Sequence, residues 1–492
     1  MRTPGVLAID QGTTNTKVLL LDQRGTVRAR ASEPVDVRFP KPGWVDQDPA
    51  AIWSTVQTAI AATLRHAPDE VDIAAVGVSN QRESAVAWDR ESGQPLGPCI
   101  TWQCRRTAPF CASLRQRGVA DMVARKTGLT IDPLFSASKF RWLLDHIEHG
   151  DARAAAGAIC LGNVDSWLLW NLTGGATHAT DLTNASRTQL LNLGTQAWDP
   201  ELLELFGIPA AALPHISPSS HVFGYTAPSG PVGKRIPVAS MIGDSHAALF
   251  GHGHFQTGVV KATYGTGSSL MSLTDVPVAS TSGLSTTVAW AFKDRTQFAL
   301  EGNVTVTGGT VDWLARVLGG TQSASEVGAL AATVDDSDGV YLVPAFAGLG
   351  APHWDDRARG LICGLTRGST AAHLARAAIE SIAFQVRDVF DAMRHDIGVP
   401  LPALLADGGA SGNDSLMQFQ ADILDCPVIR SRSADLSAQG AAWLAGLAAG
   451  VWATPNDLDR LPRQADRFEP RMPRDERERR YAGWQDAVRR TR

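Results

Sequence analysis

The chain is poor in three things. Its six cysteines (Cys99, Cys104, Cys111, Cys160, Cys363 and Cys426) are scattered, with no CxxC pair and no zinc-like spacing. They are expected to be reduced, buried thiols of a cytoplasmic protein rather than a disulfide framework. No apolar run reaches the ~18 residues of a membrane span, and Met1 to Pro4 is too short for a signal peptide, so no membrane partner is expected. Positive charge is not in excess either. Forty-five Lys and Arg stand against 50 Asp and Glu, and no basic tail or stripe points to nucleic acid.

What is present is glycine, 46 residues of it, much of it in short runs between apolar strand candidates, which suits a backbone that approaches ligands closely. A length of 492 residues predicts two or three domains. Residues 6–10 and 18–21 are apolar runs joined by Gln11-Gly12-Thr13-Thr14-Asn15-Thr16-Lys17, which reads as a β-hairpin. Residues 52–64 have helical spacing, and 74–79 and 85–88 are strands around Asn80-Gln81-Arg82-Glu83. Alternation of this kind predicts an α/β fold with helices covering a sheet. The pattern restarts near 235: a strand over 236–242, then 259–264, Gly265-Thr266-Gly267 and a partner strand over 270–273. It reads as a diverged duplication with a boundary near 251–256. From about Asp457 the chain is rich in charge and is expected to form a surface loop and a closing helix.

Gly12-Thr13-Thr14 and Gly265-Thr266-Gly267 offer backbone N–H groups and hydroxyls that can converge on phosphate oxygens. Either loop alone is as well explained by an ordinary turn; one near the start of each half suggests a nucleotide held between domains. Asp10, directly before the first loop, could orient a magnesium-bound water, or simply close a strand end. Lys17 lies outside the turn but could reach a phosphate as a point charge. Gly408-Gly409-Ala410-Ser411-Gly412-Asn413 reads as a strand–turn–helix where a purine and ribose could lie, or as a plain tight connection.

These residues resemble a known family. Asp10-Gln11-Gly12-Thr13-Thr14, Asn80-Gln81-Arg82-Glu83, Trp102-Gln103, Asn184-Ala185-Ser186-Arg187-Thr188, Tyr264-Gly265-Thr266-Gly267, Leu300-Glu301-Gly302, the run from Pro344 to Pro352 that includes Ala347, and Met417-Gln418-Phe419-Gln420 are similar to the FGGY carbohydrate kinases, and within them to the glycerol kinases. The resemblance implies two actin-like (ribonuclease H-like) α/β domains with a nucleotide cleft between them. It implies residues 1–251 on the acceptor and phosphate-loop side and 252–492 on the nucleotide side. MgATP would be the donor system, with Asp10 toward Mg2+ and a homo-oligomer, dimer or tetramer, expected. By matching position, Thr13, Thr14, Asn15, Lys17, Thr266, Gly308, Gly409 and Asn413 would contact nucleotide. Arg82, Glu83, Trp102 and Asp244 would line the acceptor pocket of a small polyol or sugar.

An alcohol acceptor benefits from a base that takes its proton as the new bond forms. Asp244, at a strand end after Gly243, is the candidate, although such a residue is commonly a helix cap. Arg82 and Glu83 suit the donor and acceptor faces of a polyol hydroxyl; the bland alternative is a surface ion pair between them. Trp102 could pack on C–H groups or be a core residue, and His246 is expected near the cleft rim. Three positions depart from the glycerol kinase pattern: Leu134 for Tyr, Ser245 for Gln and Ser269 for Phe. Each change removes bulk or a hydrogen-bonding tip, and together they predict an acceptor larger than glycerol: a tetritol, pentitol or ketopentose. Asp312 replaces a Gln on the nucleotide side. A non-catalytic actin-fold ATPase is the reading from another class. It would keep the phosphate loops without needing Arg82, Glu83 and Asp244 together.

Overall fold

The computed structural model describes residues 2–293, 295–319, 323–346 and 348–492; Met1 and Ala347 lie outside the described residues. The chain divides into two compact units. The first is Met1–His254 with Thr286–Phe298 and Asp435–Pro462; the second is Phe255–Ser285 with Ala299–Ala434 and Arg463–Arg492. Two later segments of the chain thus return to the first unit.

In the first unit, β1 (Thr3–Gln11) carries Val6, Leu7, Ala8 and Ile9, all fully buried. A strand apolar on both faces belongs at the centre of a covered sheet. It pairs antiparallel with β2 (Asn15–Asp22), in register from Gly5↔Asp22 to Gln11↔Thr16, and β2 pairs antiparallel with β3 (Val27–Pro34). On its other side β1 runs parallel to β4 (Val71–Asn80), and β4 runs parallel to β5 (Pro237–Gly243). The order is β3-β2-β1-β4-β5. The crossover to β4 is the helix Pro49–Arg65. Asp48 caps it by accepting the Ala50 N–H, Pro49 sits in its first turn, and Ile52, Val56, Ala59 and Ile60 face the core. A smaller antiparallel sheet, which includes Ala85–Asp89, Cys99–Ile100 and Ile159–Asn163, follows β4 directly. The Arg82-Glu83 turn is thus suspended between two sheets.

The second unit repeats the scheme. β6 (Val260–Tyr264) pairs antiparallel with β7 (Ser268–Thr274) and parallel with β9 (Leu404–Asp407), which runs parallel to β10 (Val428–Ser431). With β8 (Arg295–Val304), whose residues from Ala299 on lie in this unit, beside β7, the order is β8-β7-β6-β9-β10. Numbered within each unit, both sets of five strands read 3-2-1-4-5, the actin-like (ribonuclease H-like) arrangement, so the duplication is one of topology. The helix Ala371–Ile397 buries Ala375, Ile379, Ile382, Phe384, Val386 and Phe390 in this unit's core. The closing helix is Arg474–Arg489, and the preceding stretch is a strand, Ala465–Phe468, on the edge of β10 rather than a loop. Tyr481 and Trp484 anchor that helix by donating to the Asp388 carboxylate at 2.6 and 2.8 Å. All six cysteines are free; five are buried, and Cys363 is only half-buried.

Candidate active site

In the first unit, Gly12 and the two threonines form the tip of the β1–β2 hairpin. The Gly12 N–H is turned inward to the Asn15 carbonyl (2.9 Å), so it is not one of the groups offered to an anion. Among the described residues the Thr13 and Thr14 N–H groups remain available at the tip, and the Asn15 amide donates to the Thr14 hydroxyl at 3.2 Å. A chain of amides holds the tip in place. Gln81 donates to Gln11 (3.1 Å) and to Gln47 (2.8 Å), and Gln47 donates to the Thr13 carbonyl (2.7 Å). Trp102 is not a core residue: it is 36% exposed, and its indole N–H donates to the Thr13 hydroxyl at 2.9 Å.

Asp10, the next-to-last residue of β1, accepts from the Ser79 hydroxyl at 2.9 Å. Burial, and then the charge of Asp244, push its carboxyl up to about 6. Lys17 lies on β2 with its ammonium 3.2 Å from Asp435. A group of three metal-ligating side chains does not occur among the described residues.

Asp244 is the first residue of the helix Asp244–Gly251, and Gly243 occupies the cap position. Its carboxylate accepts the Ser245 N–H at 2.6 Å, lies 3.5 Å from Arg82 Nε and is 35% exposed. Gly243 makes this pairing possible, since a Cβ there would stand 2.6 Å from Arg82 Cγ. The Gly243 N–H donates to the Thr183 hydroxyl (2.9 Å), which donates to buried Asp181 (2.8 Å).

Arg82 and Glu83 do not form an ion pair with each other on the surface. Both are buried; Arg82 faces Asp244, and Glu83 accepts from Arg187 Nε at 2.5 Å. Leu134 is half-buried, in the turn before the helix Ser136–Asp145. His246 is fully buried, not at a rim, with Nε2 3.3 Å from the Thr287 hydroxyl, so it is not placed for acid–base work. Sequence reasoning assigned no role to Arg187, Lys139, Asp181 or Thr183. The Asn184-Ala185-Ser186-Arg187-Thr188 motif was the one signal that could have drawn attention to that segment.

In the second unit, the Gly265-Thr266 turn is packed against the start of the helix Gly308–Val317. Gly265 N–H is turned to the Gly267 carbonyl (2.9 Å), while the Gly308 and Gly309 N–H groups donate to the carbonyls of Gly265 and Thr266. Only glycine fits at 308, where a Cβ would meet Gly265 O at 2.6 Å. Thr266 is exposed at the tip, and Asp312 is exposed one turn into the helix. Gly409 opens the turn after β9 toward free space, with nothing within 4 Å of an added Cβ. Asn413 caps the helix Asp414–Leu424 by accepting the Leu416 N–H at 3.0 Å. Ser269, on β7, donates to buried Glu301 at 2.9 Å.

Two units of one strand order each open on a Gly/Thr hairpin, and the family that matches both is one of phosphotransferases acting on an alcohol. The chain belongs to the FGGY family of carbohydrate kinases, whose N-terminal domain matches residues 5–251 and whose C-terminal domain matches residues 260–449. That membership implies ATP as donor. The chain is 49% identical to a glycerol kinase of Burkholderia ambifaria (strain MC40-6) over 491 residues, 99% of this chain and 98% of that protein. It is 50% identical to a glycerol kinase of Rhodopirellula baltica over 489 residues, covering 99% and 90%. Among solved structures, Plasmodium falciparum glycerol kinase with ADP superposes with a TM-score of 0.93 at 32% identity, covering 100% of this chain and 98% of that one. A xylulose kinase from Rhodospirillum rubrum gives 0.86 at 26% identity, covering 98% of each. No helix among the described residues is long and apolar enough to cross a membrane.

Proposed function

We propose that the chain transfers the γ-phosphoryl group of ATP to a hydroxyl of a small polyol, with Asp244 as the base that receives the hydroxyl proton. The observation that carries this is the Asp244 carboxylate, partly exposed at a helix start with the Arg82 guanidinium 3.5 Å away. Positioning and charge neutralisation dominate phosphoryl transfer, so a fixed base and fixed hydrogen-bonding groups are the protein's main contribution. Arg82 and Glu83 would hold acceptor hydroxyls, and Trp102 would present its ring to C–H groups. Thr13, Thr14, Asn15, Lys17, Thr266, Gly308, Asp312, Gly409 and Asn413 would serve the nucleotide. Magnesium, oriented through water by Asp10, would neutralise phosphate charge.

Glycerol is the first reading of the acceptor, supported by about half identity to glycerol kinases along almost the whole chain. A larger polyol or ketopentose is the second, supported by the small side chains Leu134, Ser245 and Ser269 and by the turn of the Ser269 hydroxyl onto Glu301. A kcat/KM panel over glycerol, tetritols, pentitols and ketopentoses separates them. Glycerol far ahead removes the second reading, and a longer acceptor far ahead removes the first. ADP release independent of any acceptor would remove the kinase reading itself.

A further inference from the structure

The turn that carries Glu83 is backbone-strained and held by two buried cations. Glu83 has φ of 59°, left-handed for a residue that is not glycine. Such a conformation persists where the surroundings over-determine it, and it clusters at functional sites. Here Lys139 Nζ donates to the Glu83 carbonyl (3.0 Å), and so does the Ser136 hydroxyl (3.2 Å). Arg187 Nε donates to the Glu83 carboxylate (2.5 Å). Lys139 Nζ also donates to the Leu134 carbonyl (2.5 Å), and the Arg187 guanidinium lies over the ring of Phe135, 5.0 Å from its centroid. Both cations have no exposed surface. One ammonium therefore ties together the main chains of the two positions, 83 and 134, that are read as acceptor contacts, although they stand far apart in sequence.

We propose that Lys139 and Arg187 are positioning residues for the acceptor: Lys139 fixes the distance between the Glu83 and Leu134 main chains, and Arg187 aims the Glu83 carboxylate. This rests on the reading that Glu83 and residue 134 face the acceptor. A mount needed for stability alone would gain little from buried charge, because desolvation offsets much of what a buried ion pair returns. The hydrogen bonds of an ammonium to two carbonyls are charge-assisted, which suits a geometric standard. The groups that face Lys139 are Glu83, Cys104, Asp132 and Cys99, and burial outweighs them, pushing the ammonium down to about 8. Above that pH the amine keeps two N–H donors but loses the charge that strengthens both bonds.

The test is steady-state ADP release with the best acceptor among glycerol, erythritol, xylitol and D-xylulose. For Lys139→Met the acceptor KM should rise about tenfold or more while the ATP KM stays within about twofold, the pattern of lost acceptor binding. Arg187→Met should show the same split, and Arg187→Lys should recover part of it. Unchanged acceptor KM in a folded Lys139→Met variant overturns the proposal, as does an equal rise in both KM values. Should that variant not fold, the wild-type profile decides. Acceptor KM rising about threefold or more between pH 7 and 9.5 with a flat ATP KM supports it, on the titration window of a lysine held near 8; a flat or parallel profile overturns it. Failure of the underlying kinase reading looks different: the wild type itself would release no acceptor-dependent ADP.

Discussion

Glu83 and Arg82 show that opposite charges adjacent in sequence need not be each other's partners. Adjacent opposite charges suggested a pair, yet each side chain turns to a partner more than 100 residues away, Arg187 and Asp244. A buried charge must find its counter-charge in space, and sequence spacing carries no trace of where that will be. The same reason hid Lys139, which reads as an ordinary helix lysine until its ammonium is seen to have no exposed surface. Asp165 offers a prediction at this scale. It is fully buried and accepts from the Thr180 hydroxyl at 2.6 Å; burial, and then the charge of Asp181, push its carboxyl up to about 7. The unfolded chain ionises this group near pH 4, so between pH 4 and 7 the folded state binds the extra proton and stability falls as pH rises. Asp165→Asn lacks this penalty. Its stability should pull ahead of wild type as pH goes from 5 to 7.5, by about 1–4 kcal/mol, read as a widening gap in melting temperature. A constant gap across that range would contradict the account.

At the scale of elements, the hairpins and the strand–turn–helix after β9 were legible, because apolar runs bounded by Gly, Thr and Asn leave few alternatives. The strand Ala465–Phe468 was not. It is a charged edge strand with Arg467 and Asp466 on it, and such strands look like solvated tail. Nor could spacing show what Gly440 does. This residue, in the helix Leu436–Ala448, lets that helix touch the helix that begins at Asp244; a Cβ at 440 would stand 1.9 Å from the Ala247 carbonyl, and one at Gly251 would stand 2.4 Å from the Leu436 carbonyl. Ser437 also donates to the Asp244 carbonyl at 3.0 Å. Gly440→Ala must therefore push the two helices apart. It should cost about 1–3 kcal/mol, as overpacking does, read as a lower denaturation midpoint. The kcat should fall with it, because the helix that moves carries Asp244. An unchanged midpoint and kcat would show that the helix contact does not set the position of Asp244.

At the scale of the whole molecule, the duplication was visible, but the second copy of the strand order begins at β6 (Val260–Tyr264) and not near 235, where β5 (Pro237–Gly243) completes the first. The return of Thr286–Phe298 and Asp435–Pro462 to the first unit was not, since nothing in composition marks those segments. The family was legible from its motifs. The acceptor is the part on which sequence identity and local side chains point apart. Identity to glycerol kinases favours glycerol, whereas Leu134, Ser245 and Ser269 favour more room, and the panel of acceptors decides between them. The phosphotransfer itself depends on neither answer. Its most direct test is acceptor-dependent ADP release by wild type and Asp244→Asn, with nucleotide affinity measured alongside. The account predicts a loss of about 10²–10⁴ in kcat with little change in ATP binding, the range for a removed general base. ATP turnover that needs no acceptor and survives Asp244→Asn would contradict it.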